Sequence, residues 1–79
     1  MREITVCFED QSQVQQLASL AAQYPNRMEL VSGRCLVSAR SVLGILSMGL
    51  GRRMQLRVYG DEVSEELLRQ LEPFRCRED

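Results

Sequence analysis

The chain has 79 residues, a net charge of −1, 44% hydrophobic and 27% charged side chains. That balance belongs to a small soluble domain: it excludes intrinsic disorder, gives no broad pull on nucleic acid or anionic lipid, and leaves little room for a deep pocket, because a domain of this size buries only about 60% of its unfolded surface. With no apolar run of membrane-spanning length and no charged-then-apolar leader, we expect one domain over 1–79, no membrane or nucleic-acid partner, and a charged, loose tail at 75–79.

Residues 2–8 alternate, with Ile4, Val6 and Phe8 on one face and Glu3, Thr5 and Cys7 on the other, which predicts a first strand. The polar residues 9–12 form a turn in which Asp10 or Ser12 can cap the next helix. From Ser12 to Tyr24 the apolar positions Val14, Leu17, Ala18, Ala21 and Tyr24 recur at helical spacing, and Pro25 stops them. Met28 and Leu30 flank Glu29 in a second strand. A turn at Ser32-Gly33 then leads to a third, with Cys35, Val37 and Ala39 on one face. A short helix over 41–48 follows. The fourth strand runs over 53–59 with Met54, Leu56 and Val58 on one side, and Gly60 breaks it. Asp61 is placed to cap a last helix, with Glu62, Glu65 and Glu66 in its first turns. Its apolar stripe is Val63, Leu67, Leu68 and Leu71, with Phe74 one turn on and Pro73 as its end. The order β-α-β-β-α-β-α predicts an α+β fold: an open-faced β-sandwich, a four-stranded antiparallel sheet with three helices on one face.

Cys7, Cys35 and Cys76 are widely separated, without a C-x-x-C pair, and the chain contains no histidine. This spacing fits neither a zinc site nor a disulfide framework. It predicts three reduced thiols, Cys7 and Cys35 in strands and Cys76 on the tail, and hence a cytosolic protein. All ten basic residues are arginine. Without histidine, lysine or a cofactor motif, no hydrolase or oxidoreductase is expected, and neither is a metal or cofactor.

The stretch 38–51, S-A-R-S-V-L-G-I-L-S-M-G-L-G, is the most distinctive. Ser41 falls at the helix N-cap, where its hydroxyl accepts from a free backbone N–H and where a phosphate is also favoured. Val42, Leu43, Ile45, Leu46 and Met48 cover most of the helix circumference, more than one short helix can bury, so some of them face outward. The stretch closely resembles the regulatory helix of HPr, the histidine-containing phosphocarrier of the bacterial phosphoenolpyruvate:sugar phosphotransferase system. HPr proteins show there a basic residue, Ser, two apolar residues, Gly, further apolar residues, Ser, an apolar residue and Gly. The counterparts here run from Arg40 and Ser41 to Met48 and Gly49. The resemblance implies that Ser41 is a regulatory phosphorylation site with Arg40 meeting the phosphate, and that Val42, Leu43, Leu46 and Ser47 dock protein partners.

The amino-terminal part departs from that family. HPr proteins carry G-[LI]-H-A-R-P-A between strand one and helix one, the histidine accepting phosphate from enzyme I. The corresponding stretch here is Phe8-Glu9-Asp10-Gln11-Ser12-Gln13-Val14. Asp10 falls near the histidine position and Ser12 near the arginine, within a residue or two, so Asp10, Gln11 and Ser12 form a degenerate active-site loop. The resemblance then implies a non-enzymatic relative that has lost phosphohistidine transfer. It would act as a regulatory, protein-binding module in bacterial carbon catabolite repression, with a serine kinase or transcriptional regulator as partner. Two alternatives stand beside it. One is a phosphoryl carrier using a non-histidine acceptor such as Asp10. The other is an adaptor unrelated to sugar transport, with Val31, Leu36, Arg57 and Tyr59 on the open sheet face supporting a homodimer.

Overall fold

Period-two alternation becomes four strands and the longer apolar periods become helices, in a computed structural model that describes residues 1–76. In chain order these are β1 (Arg2–Val6), α1 (Gln11–Gln23), β2 (Met28–Ser32), β3 (Cys35–Ser38), α2 (Val42–Ser47), β4 (Met54–Val58) and α3 (Glu65–Leu71), with a closing 3₁₀ turn over Glu72–Phe74. The sheet order is β1-β4-β2-β3, and every neighbouring pair is antiparallel. Gly33, at φ +59°, takes the first position of the two-residue turn that pairs Ser32 with Cys35.

One face of the sheet is covered. Ile4, Val6, Met28, Leu30, Met54, Leu56 and Val58 are buried beneath the helices, where Val14, Leu17 and Ala21 of α1, Ile45 of α2 and Leu67 and Leu71 of α3 meet them. The other face is open and charged. Arg57 pairs with Glu3 at 3.1 Å, and Arg27 pairs with Glu29 at 2.6 Å while lying 5.2 Å from the centre of the Tyr59 ring. Leu36, on the edge strand, is exposed.

Helix ends follow local chemistry. Asp10 caps α1, its side chain accepting from the Gln13 N–H at 3.0 Å, while Gln13 Oε1 accepts from the Glu9 N–H at 2.7 Å, a reciprocal arrangement close to a capping box. Tyr24 is already extended (φ −113°, ψ 145°), the conformation required before Pro25.

Three expectations need correction. The last helix is capped by Ser64, not Asp61: Ser64 Oγ accepts from the Leu67 N–H at 3.1 Å, with Glu65 and Glu66 in the first turn. Asn26 explains the displacement. Its amide donates to the carbonyls of Tyr59 (2.8 Å) and Glu62 (3.4 Å), which holds residues 60–63 as a loop. The first strand ends at Val6, because the Cys7 N–H turns to the carbonyl of Phe74 at 3.0 Å. Finally, the cysteines are not all reduced. Cys7 and Cys76 form a disulfide, and Cys35 is free and exposed. Arg75 and Cys76 are therefore not loose: Val6 bridges to Arg75, and the Cys76 N–H donates to Thr5 O at 3.0 Å. The rest of the expected tail lies outside the described residues. The inference of a cytosolic location from reduced thiols loses the support of Cys7 and Cys76. Among the described residues, no helix is long and apolar enough to cross a membrane.

Candidate functional site

Two neighbouring features carry the chemistry singled out in the sequence: helix α2 with its flanks, and the loop that opens α1. In α2, Ser41 is exposed and its Oγ accepts from the Gly44 N–H at 3.1 Å, which satisfies one of the free amides of the first turn. Gly44 lies so close to β3 that an added Cβ would come within 3.3 Å of the Val37 side chain and 3.0 Å of Ser41 Oγ. Ile45 and Met48 point into the core and anchor the helix.

The remaining apolar residues sort by exposure. Val42 and Leu46 are half-buried against the edge of the core, whereas Leu43 is 83% exposed. Leu50, in the loop beyond the helix, is also exposed. Ser47 is exposed, with its hydroxyl turned back onto the Gly44 carbonyl at 2.6 Å. Val42, Leu43, Leu46 and Ser47 thus belong to one short helix whose outer side carries an apolar knob.

Arg40 is placed differently from Ser41. Its guanidinium donates to Ala21 O at 3.2 Å and Tyr24 O at 2.8 Å, so it caps the carboxyl end of α1, where cations are favoured by the helix dipole. The structure does not bring it to the Ser41 hydroxyl. What it does contribute is charge. From residue 30 to residue 60 the chain carries Arg34, Arg40, Arg52, Arg53 and Arg57 and no acidic residue. Helix α1, alongside α2, carries no charged residue over its 13 positions.

The loop before α1 is occupied by structural duties. Asp10 is the cap, and Gln11 and Ser12 are exposed in the first turn. Phe8 is fully buried, 6.2 Å from the Phe74 ring, and its carbonyl accepts from the Gly51 N–H at 2.7 Å. Gly51 reaches that contact at φ +76°, which favours glycine. Arg75, which lines the cleft beside this loop, pairs with Glu72 at 3.2 Å. Among the described residues no three histidine, cysteine, aspartate or glutamate side chains gather to hold a metal ion.

Two solved structures align with nearly the whole chain. HPr-C-His from Thermoanaerobacter tengcongensis has a TM-score of 0.73 and 22% identity over 92% of this chain and 89% of that one. The histidine-containing phosphocarrier protein, in a structure concerned with the divergence of Mycoplasma from Gram-positive bacteria, has a TM-score of 0.72 and 10% identity over 91% and 89%. The chain has the HPr fold. No protein-family model matches it, and no curated protein does. At such identities the likeness shows the fold alone, and function has to be argued from the residues placed on it.

Sequence reasoning missed Arg40 as a cap and the Cys7–Cys76 bond. The second had a signal: Phe8 and Phe74 were both expected to be apolar contacts, and their packing brings the cysteines beside them together.

Proposed function

We propose that this chain is an HPr-like, non-enzymatic protein-binding module that docks through the outer side of α2, with Ser41 as the residue whose phosphorylation would alter partner choice. The observation that carries the reading is Leu43, 83% exposed on α2. An exposed apolar side chain on a helix whose carboxyl end carries Arg52, donating to the Met48 carbonyl at 3.4 Å, fits a partner surface with an apolar socket and an acidic rim. A phosphate on Ser41 would add about −1.5 to −2 charges two residues from Leu43 and weaken attraction to such a rim while changing which surfaces fit. The Asp10 side chain, already used as a cap, and the absence of histidine support loss of the carrier chemistry.

Incubation with ATP and an HPr serine kinase, followed by peptide mass spectrometry, tests the switch: a single phosphoryl group on Ser41 is expected, absent from Ser41→Ala. Unmodified Ser41 beside a fully phosphorylated HPr control would remove it. Docking is tested separately by NMR titration with proteins that bind HPr. Shifts confined to α2 and its flanks, lost in Leu43→Asp, support the module, whereas shifts elsewhere on the surface refute this site.

A further inference from the structure

The Cys7–Cys76 bond joins the loop before α1 to the last described residue, across 69 positions of sequence. Around it the chain forms a narrow strap. The Cys7 N–H donates to Phe74 O and the Cys76 N–H to Thr5 O, both at 3.0 Å, and Arg75 bridges to Val6. In the sheet order β1 is an edge strand, paired on one side to β4, so the strap covers the far end of its open edge. Phe74, just before it, is buried in the core and stays anchored without any sulfur chemistry. Among the described residues, what holds 75 and 76 to β1 is the Val6–Arg75 bridge, made by those two backbone hydrogen bonds, and the disulfide; Arg75 otherwise pairs with Glu72, within its own turn. Both cysteines are half-buried, and a cleft lined by Cys7, Phe8, Glu9, Gln13, Arg75 and Cys76 runs beside the bond.

We propose that Cys7–Cys76 is a thiol–disulfide exchange site that fastens and releases this strap. In the oxidised form residues 75 and 76 lie along β1. A dithiol reductant attacks one sulfur as its thiolate, passes through a mixed disulfide and leaves as its own cyclic disulfide. Two electrons and two protons are thereby transferred, and Cys7 and Cys76 become thiols. With the sulfurs parted, the two backbone hydrogen bonds of the bridge are too little to hold this short segment against its conformational entropy. The strap leaves, the Thr5 carbonyl and the edge of β1 open, and the core ending at Phe74 remains. Cys35 lies exposed at the start of β3, the opposite edge of the sheet, and takes no part.

The test uses the whole chain after equilibration with oxidised glutathione or with dithiothreitol. Iodoacetamide labelling read by intact mass should give one adduct in the oxidised protein, at Cys35, and three in the reduced protein. Amide hydrogen exchange should quicken by roughly tenfold or more at Cys76 on reduction, with Val6 and Leu56 unchanged and the far-ultraviolet circular dichroism retained. Cys76→Ser, with two cysteines left, should take two adducts and show the fast exchange at position 76 under both conditions. Three adducts after treatment with oxidised glutathione would overturn the proposal. So would unchanged exchange at Cys76 once three thiols are labelled. Loss of the helical signal on reduction would also overturn it, by making the bond a staple of the whole fold.

Discussion

The assignment of α2 into an anchoring side and a free side has a quantitative consequence. Ile45 is 0% exposed and Leu43 83% exposed, although they lie two residues apart on the same six-residue helix. Truncating Ile45 to alanine removes buried methyl groups and leaves a cavity, a change that costs about 3 kcal/mol. A chain of this length has a total stability of about 4–12 kcal/mol, so the loss is a large share of it. The melting temperature should fall by roughly 12–24 °C, at about 4–8 °C per kcal/mol for a domain this small. Leu43 has only 17% of its surface covered, the remainder of its 83% exposure. At about 1.5–3 kcal/mol for a fully buried leucine, Leu43→Ala should cost about 0.4 kcal/mol, within a few degrees of the parent. The chain has no tryptophan and two tyrosines, so circular dichroism at the helical minimum during urea and thermal unfolding is the suitable probe. Equal destabilisation by the two substitutions, or a neutral Ile45→Ala, would refute the orientation of α2 and with it the exposed knob on which the docking surface rests.

Three further outcomes follow from individual contacts. Ser41→Ala removes the cap on the Gly44 amide and should lower stability by about 1 kcal/mol in urea denaturation, whereas Ser41→Asp, which keeps a capping oxygen, should stay within about 0.5 kcal/mol. Arg40→Ala frees the carbonyls of Ala21 and Tyr24 and should cost about 1 kcal/mol, with faster amide exchange at the end of α1; an unchanged midpoint would show that the cap contributes nothing. The Arg27 hydrogen bond, aided by Tyr59 and opposed by burial, holds the Glu29 carboxyl below its ordinary value. A carboxylate depressed in the folded state stabilises above its unfolded pKa, and that contribution disappears as pH falls through the folded value. Glu29→Gln should therefore flatten the acid side of the stability profile, and an unchanged slope below about pH 4 would contradict the pairing.

Periodicity carried most of the architecture. Ile4/Val6, Met28/Leu30 and Met54/Leu56/Val58 are the buried sides of β1, β2 and β4, and Val14, Leu17 and Ala21 are the buried stripe of α1, as their spacing requires. Ser41 as the α2 cap was legible because its pattern is local. What could not be read depended on contacts distant in sequence. Asp61 is as good a cap by type as Ser64, and only Asn26, some 35 positions away, holds the Glu62 carbonyl and delays the helix. Arg40 was assigned to its neighbour Ser41, yet the turn after β3 brings it to the end of α1, 16 residues away from Tyr24. Cys7 and Cys76 looked unrelated because spacing alone does not place the chain end beside β1; the packing of Phe8 on Phe74 does.

Docking and phosphoryl chemistry make separable demands on this fold, and the two ends of the site show it. A reactive loop needs a free nucleophile with cations around it. Here Phe8 is in the core, Asp10 is bound to the Gln13 amide, Cys7 is in a disulfide and the nearby Arg75 is paired with Glu72. Each of these four groups serves the fold, the backbone or another side chain. A docking helix needs the reverse: anchors that fix it and side chains that gain nothing from the fold. Leu43 meets that description, since its burial contributes only about 0.4 kcal/mol while its exposure adds a liability for self-association. On the proposed docking role, that exposed leucine is a cost to the isolated domain that only contact with a partner would repay.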